Sequence, residues 1–433
     1  MNENGLTVGI NEKPKTIGSW IILSLQHVFA MFGATVLVPM LTGLDVGVAL
    51  VASGLGTLIY IVCTKGKVPV YLGSSFAYIT TISAAIASTG GASSAYVGLM
   101  VVGIIYAIIA GIIYFAGSGW LRNLLPPVVI GPMIIIIGLT LAPVAVTNVG
   151  LLGIKALNDN GLYIGLDGAE WKVPLVAFVT FATVVLLSIK AKGFLRIVPF
   201  IIAILVGYIV SIIFGVVDLS QAFANVSFFQ LPNFSVLGTY KLNFTQILVF
   251  APLAFVTIAE HIGDHVVLGE ITGKDFIDDP GLHRTILGDG IATFVSASLG
   301  GPANTTYGEN TGVIALTKVG SVYVVGLAAI FAILLGFFGY IQAFIMSIPW
   351  AVIGGMTIIL YGLIAANGVK VLIKDKTDLS KMKNLIVVST MLVIGLGGAF
   401  IQITEQTSLT GMSLAAIVGI LLNQALNFLD PNN

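Results

Sequence analysis

Long apolar runs separated by short polar stretches recur between residues 17 and 429. A helix crosses the hydrocarbon core of a bilayer with about 20 apolar residues. At that length the pattern predicts fourteen spans: 17–41, 46–63, 68–88, 95–117, 127–148, 173–190, 197–214, 246–268, 284–300, 301–320, 321–346, 348–366, 384–402 and 410–429. The third contains "PVYLGSSFAYITT" and the tenth "GPANTTYGENTGVIALT", both rich in Gly, Ser, Thr and Pro. Each, read alone, is a loop.

Charge changes that picture. With the N-terminus in the cytoplasm and every span crossing, sixteen of the 19 basic residues fall on the cytoplasmic side, among them Lys67, Arg122, Lys274 and Lys374. Only Lys155, Lys172 and Lys241 fall outside. Membrane proteins show this bias of Lys and Arg toward cytoplasmic loops. If both weak segments failed to cross, everything between them would reverse, and Lys190, Lys192, Arg196 and Lys274 would lie outside. Both are therefore predicted to cross, with both termini cytoplasmic.

Composition agrees with a multi-pass protein of a cell membrane. Hydrophobic residues make up 57% of 433 positions and charged residues 9%, and the mean hydropathy is +1.05. Soluble domains carry about 25% charged residues. The zero net charge gives no reason to expect nucleic acid, and the lone Cys63 cannot form an internal disulfide. The stretch "MNENGLTVGINEKPK" is polar and lacks the basic and apolar regions of a cleavable signal.

A repeat runs through the chain. "PPVVIGPMIII" from Pro126 and "PWAVIGGMTII" from Pro349 lie 223 residues apart and share Pro126/Pro349, Gly131/Gly354 and Met133/Met356 among other positions. They occupy spans five and twelve. "SLQHVFAMFG" in span one echoes "IAEHIGDHVVLG" in span eight, and the weak spans three and ten stand at the same offset of seven. An odd number of spans per copy inverts the second copy. Interrupted segments at matching places in inverted halves point to a transporter's binding site.

The candidate chemistry sits in those places. Glu260, Asp264 and Glu309 are acids inside spans, and Asp289 lies near the start of span nine. Burying such a group in a membrane costs several kcal/mol, so it faces protein, water or substrate. Glu260 and Asp264 are four apart and share a helix face, with His261 and His265 on the neighbouring strip. Gly308 permits close backbone approach, and Ser74 or Ser75 suits a helix cap. Half-helices starting after these breaks would aim free N–H groups at the membrane centre. Phe76 and Tyr307 add aromatic faces. Carboxylate acceptors, N–H donors and aromatic faces suit a flat molecule with alternating N–H and C=O groups, such as a nucleobase. A simple anion would be repelled. A carboxyl group withdrawn from water can exchange a proton near neutral pH, so Glu260 is the candidate for proton coupling, with Asp264 near enough to share the proton. No cofactor is expected beyond the coupling ion H+.

"SLQHVFAMFGATVLVP", "YLGSSFAYI", "AEHIGDHVV", "DPGLHR", "PANTTYGENTGV" and "ILYG" resemble the bacterial uracil permeases of the nucleobase–cation symporter family, which includes the nucleobase–ascorbate transporters. The resemblance covers nearly the whole chain. It implies an all-α polytopic membrane protein of 14 transmembrane segments in two inverted repeats of seven. Segments 3 and 10 would be broken by short extended stretches. A core domain would comprise residues 1–124 and 241–347, and a gate domain residues 125–240 and 348–433. The resemblance also implies uracil import by proton symport, and a homodimer. Glu260 matches the glutamate that binds the base and couples protons, and Glu309 the second glutamate bonded to the base. Phe76, Tyr307 and Gly308 match pocket positions, Ala34 a small residue beside the base, and Tyr361 a gate-domain tyrosine near it. The familiar uracil permeases have "EHxGH"; here Asp264 replaces that second histidine, as in purine-type relatives. The "GEN" of segment ten, in place of the purine-type Gln-Asn, favours uracil.

Blander readings stand beside these. Glu260 could pair with a neighbouring helix, Glu309 could cap a half-helix, and Gln26-His27 fits a structural link. His261 and His265 are read as packing residues. "HIGDH" superficially resembles the H-x-x-E-H zinc motif, but a third ligand has no obvious home, so an intramembrane metalloenzyme is the weaker alternative, after a xanthine or purine permease. The polar run 370–384 reads as a cytoplasmic loop near anionic membrane lipid.

Overall fold

Thr16 and Asp45 open the first two long helices. In the computed structural model, which describes residues 6–87, 91–151, 171–234, 237–240, 244–404 and 407–429, the Thr16 hydroxyl accepts from Ser19 N at 3.1 Å. The Asp45 carboxylate accepts from Val48 N at 2.8 Å. Each bond satisfies an N–H that a helix start leaves free. Helix α1 spans Ile17–Thr42 and α2 Val46–Cys63. Strand β1 (Leu72–Ser74) leads into α3 (Ile79–Ala87), α4 (Gly91–Ala116), α5 (Pro127–Thr140), α6 (Lys172–Lys190) and α7 (Pro199–Ile213). After α8 (Phe244–Thr272) and α9 (Leu282–Leu299), strand β2 (Asn304–Thr306) leads into α10 (Gly308–Thr317), α11 (Val322–Gly336), α12 (Trp350–Lys374) and α13 (Met382–Leu396). A hairpin of β3 (Ile401–Thr404) and β4 (Thr407–Leu409) precedes α14 (Gly411–Leu429). Four shorter helices, Gly119–Leu124, Ala142–Asn148, Leu219–Ala222 and Gly339–Met346, sit between the long ones. Eight described helices, counting Pro127–Asn148 as one, are long and apolar enough to cross a membrane.

Three predicted spans end or divide differently. Span 127–148 breaks at Leu141, because Pro143 has no N–H to continue the helical ladder. Span 321–346 breaks at Phe337 and Phe338. Span 384–402 stops at Leu396, where Gly397 and the left-handed Gly398 end the helix, and residues 401–404 pair in the hairpin instead. Lys155 and Lys241 lie outside the described residues.

The packing recurs along the chain. α2 packs on α11, and α9 on α4. α1 packs on α11 and α8 on α4; α6 packs on α7 and α13 on α14; α6 packs on α12 and α13 on α5. Each second pair is the first with both partners exchanged for the helix seven places away, and α5 with α12 maps onto itself. The first two crossings are closed by paired glycines. A Cβ on Gly47 would stand 2.8 Å from the Gly336 carbonyl oxygen, and one on Gly336 2.7 Å from that of Gly47. For Gly103 and Gly290 the corresponding distances are 2.6 and 2.9 Å. Small residues let membrane helices approach this closely, and dispersion then holds them.

Ion pairs tie loops and helix ends together at one end of the bundle. Lys67 meets Asp279 at 2.5 Å, and Lys374 meets Glu270 at 2.5 Å. Arg284 Nη1 donates to the Cys63 carbonyl at 3.3 Å. All three basic residues belong to the set that the charge pattern assigns to the cytoplasm.

Candidate functional site

Inside an apolar bundle every backbone N–H and C=O needs a partner. The two Gly/Ser/Thr-rich segments solve this jointly. β1 and β2 are fully buried and pair antiparallel, Leu72 with Thr306, Gly73 with Thr305 and Ser74 with Asn304. Ser75 N donates to Ala303 O at 2.8 Å and Tyr307 N to Tyr71 O at 3.1 Å, extending the ladder at both ends. The Tyr307 ring lies over Gly73, where any Cβ would collide with it. Its hydroxyl donates to Ser74 O at 3.0 Å and accepts from Thr35 Oγ1 at 3.3 Å.

The expected serine cap is not formed. Ser74 belongs to the strand, and its hydroxyl donates to Thr35 O at 3.0 Å. Ser75 precedes a 3-10 turn, Phe76–Tyr78, rather than the α-helix, and caps nothing.

α8 faces the strand pair with its acids. Thr305 Oγ1 donates to Glu260 Oε2 at 3.4 Å and Thr306 Oγ1 to Asp264 Oδ2 at 2.5 Å. The histidines one residue on turn to other helices. His261 Nδ1 lies 2.9 Å from Asp289 Oδ2 of α9, with both side chains fully buried. His265 Nδ1 bonds the His261 carbonyl at 2.7 Å and its Nε2 lies 2.5 Å from the Tyr60 hydroxyl of α2. A carbonyl only accepts, so His265 Nδ1 carries the hydrogen and Nε2 accepts from Tyr60. The two imidazoles stack with centroids 4.0 Å apart. Directed this way, they do not converge with Asp264 on a metal, and among the described residues no group of three His, Cys, Asp or Glu is placed to hold one.

Glu309 lies in the first turn of α10, partly exposed, three residues beyond the end of β2. Gly308 beside it is exposed; a Cβ there would meet nothing nearer than Asn367 Nδ2 at 4.0 Å. Protein packing therefore does not require this glycine, and it fronts open space. Asn310 Nδ2 donates to His27 Nδ1 at 3.1 Å and to His27 O at 3.0 Å, so the Gln26-His27 segment links α1 to α10. The Phe76 ring meets that of Tyr361 on α12 edge to face, centroids 6.2 Å apart at 75°. The buried Tyr361 hydroxyl has no hydrogen-bond partner among the described residues. Ala34 is buried on α1 beside Thr35.

The structure thus gathers Glu260, Asp264, Tyr307, Gly308 and Glu309 about the strand pair and sets Phe76 against Tyr361. A cleft of about 540 Å³ opens between α5 and α8, lined by Ile130, Ile262, His265 and Val266 and, farther along, Arg122, Glu270 and Lys274. It begins two residues beyond Glu260 on α8; Glu260 and Glu309 themselves do not line it. Sequence reasoning missed Thr305 and Thr306 as partners of the acids, Tyr60, and the burial of Asp289. An acid seven residues inside the apolar helix α9 was the available signal for Asp289; Tyr60 offered none.

With this geometry described, comparison places the chain. The profile of a permease family, Xan_ur_permease, matches residues 18–422. The chain belongs to this family. Curated relatives include a uracil permease of Bacillus caldolyticus, 47% identical over 98% of this chain and 95% of its own length. One of Bacillus subtilis (strain 168) is 44% identical over 98% and 96%, and one of Escherichia coli (strain K12) 42% over 96% and 93%. Among solved structures, murine Slc26a9, an anion transporter, superposes with a TM-score of 0.70 over 97% of this chain and 69% of its own, at 12% identity. The transmembrane domain of the cyanobacterial bicarbonate transporter BicA superposes at 0.62 over 93% and 98%, at 14% identity. At such identities the likeness is one of fold. The chain is a multi-pass membrane permease, not an enzyme, and the motif resemblance to the bacterial uracil permeases stands.

Proposed function

We propose that this permease imports uracil together with protons by alternating access. The bonds of Glu260 and Asp264 to Thr305 and Thr306 of β2, with Glu309 in the first turn of the helix that β2 leads into, carry the reading. Uracil presents alternating N–H and C=O groups at its edge. Carboxylates accept from its N–H groups, while the free N–H groups at the start of α10, next to the uncrowded Gly308, face its carbonyls. Phe76, Tyr307 and Tyr361 supply ring faces and an unpartnered hydroxyl. Uracil permeases are the curated relatives at 41–47% identity, which supports uracil as the base. Glu260 exchanges the coupling proton and Asp264 shares it.

Fourteen segments in two inverted repeats are supported by the recurrence of the four helix pairings described above at an offset of seven. A core domain of α1–α4 with α8–α11 and a gate domain of α5–α7 with α12–α14 accord with the packing, which is densest inside these groups. The α5–α8 cleft lies where the two would part, and it supports a path from the site toward the cytoplasmic face. Both termini are cytoplasmic in this reading, and the permease works as a homodimer.

A xanthine or purine permease is the second reading, favoured by Asp264 in place of a histidine. Uptake of labelled uracil into proteoliposomes, competed by xanthine and other bases across pH, separates the two. Gradient-driven uracil uptake that excess xanthine leaves intact supports the first. Preference for xanthine overturns it.

A further inference from the structure

A second cleft, of about 570 Å³, lies apart from the substrate site. It is bounded by three stretches distant in sequence: the short helix Gly119–Leu124, the loop after α12, and the last turns of α14. Arg122, Lys376, Lys381 and Lys383 line it, against two acids, Asp375 and Asp378.

Both acids are engaged by their own turn. Asp375 Oδ2 accepts from Thr377 Oγ1 at 3.0 Å. Asp378 Oδ1 accepts from Ser380 N at 2.9 Å and from its hydroxyl at 2.6 Å. By contrast, the side chains of Arg122, Lys376 and Lys383 make no ion pair or hydrogen bond among the described residues. The floor is polar as well. Asn423 and Gln424 of α14 line the cleft; Gln424 Nε2 donates to the Asn123 carbonyl at 2.8 Å, whereas the buried Asn423 Nδ2 has no partner among the described residues. Membrane helices seldom carry amides at such positions without a partner for them to bond.

We propose that this cleft binds a phosphate-bearing ligand. The excess of unpaired cations selects an anion and repels a metal ion. A cleft of this volume, with donors on three sides, suits a group with several oxygens rather than a halide. The guanidinium fork of Arg122 matches phosphate geometry, with the lysines as added point charges. A positive-inside bias explains basic residues in these loops; it does not explain their assembly with α14 amides around one cavity. Arg122 also lines the α5–α8 cleft, so the ligand sits at the mouth of that opening. The phosphate could be that of a soluble ion or of a lipid headgroup.

Two arms separate these sources. In the first, the purified full chain in neutral detergent is titrated with inorganic phosphate at constant ionic strength, with chloride as control, and its thermal unfolding midpoint is followed. In the second, the protein in phosphatidylcholine nanodiscs is compared with protein in discs containing phosphatidylglycerol, and retained lipid is counted by native mass spectrometry. R122Q/K383Q is expected to weaken the response by about tenfold, and K190Q/K192Q, on exposed positions elsewhere, to leave it unchanged. A response in the first arm alone assigns a soluble ligand; in the second alone, a lipid. If R122Q/K383Q does not fold, K376Q at an exposed site and K383Q at a half-buried one singly provide the same comparison. The proposal is overturned if neither probe distinguishes these variants from the parent, or if chloride acts as phosphate does. Binding is read directly, so the result is independent of what the permease transports.

Discussion

Replacing Asp289 by Ala removes half of a pair that is 0% exposed on both sides. His261 is left with neither ring nitrogen partnered, since its Nε2 already lacks a partner. Two magnitudes compete. A neutral hydrogen bond between membrane helices is worth about 0.6 to 1.7 kcal/mol, whereas breaking a buried charged pair from one side costs about 3 to 5 kcal/mol. Full burial disfavours charge on either group, so the 2.9 Å contact counts as a neutral bond, and losing it while orphaning His261 means Asp289→Ala should cost about 2 kcal/mol. Asp289→Asn keeps an acceptor toward Nδ1 and should cost about 1 kcal/mol. Removing both partners, as His261→Phe with Asp289→Leu, should recover most of the loss, because no orphaned group remains. Unfolding in mixed micelles, followed by tryptophan fluorescence, measures all three. The reasoning is refuted if Asp289→Ala lies within about 0.5 kcal/mol of the parent, or if Asn costs as much as Ala.

Tyr361→Phe deletes a buried hydroxyl that bonds none of the described residues. Stability should change by no more than about 0.5 kcal/mol, while uracil affinity falls about five- to tenfold; a large loss of stability with unchanged uptake would contradict this. Gly290→Ala pushes a methyl to 2.9 Å from the Gly103 oxygen and 2.5 Å from Tyr106 Cβ, at a cost of about 1 to 3 kcal/mol. Ala at Gly362, where nothing lies within 4 Å, is the control, and equal effects at both would dismiss the close-packing argument. Thr306→Val removes the donor 2.5 Å from Asp264; uptake should drop about fivefold and return with Thr306→Ser. Parental uptake in the valine variant would remove Thr306 from the site.

The helices were legible because their cause is local. Apolar runs of the required length and the i,i+4 spacing of Glu260 and Asp264 are both read within a few residues. The same holds for the Gly/Ser/Thr-rich stretches that could not be ordinary spans. What escaped depends on distant partners. The strand pair joins Leu72 to Thr306 and Ser74 to Asn304, which lie in opposite halves of the chain, and no local pattern announces the pairing. Tyr60 meets His265 across 205 positions, so it looked like any packing aromatic. The Ser75 cap failed for the same reason: its neighbour Ser74 was claimed by a distant carbonyl and a different backbone turn followed. The break before Pro143 and the hairpin after Gly398 had visible signals, but hydropathy alone runs through both.

Proton coupling at Glu260 is tested most directly by measuring proton movement itself. Protein reconstituted into vesicles loaded with a pH-sensitive dye, without an imposed gradient, receives an inward uracil gradient. The parent should acidify the lumen as uracil enters, and Glu260→Gln should abolish the acidification while retaining folding and glycine-stabilised packing. Uracil entry by the parent with no change of internal pH, or equal acidification by the Gln variant, would contradict the account.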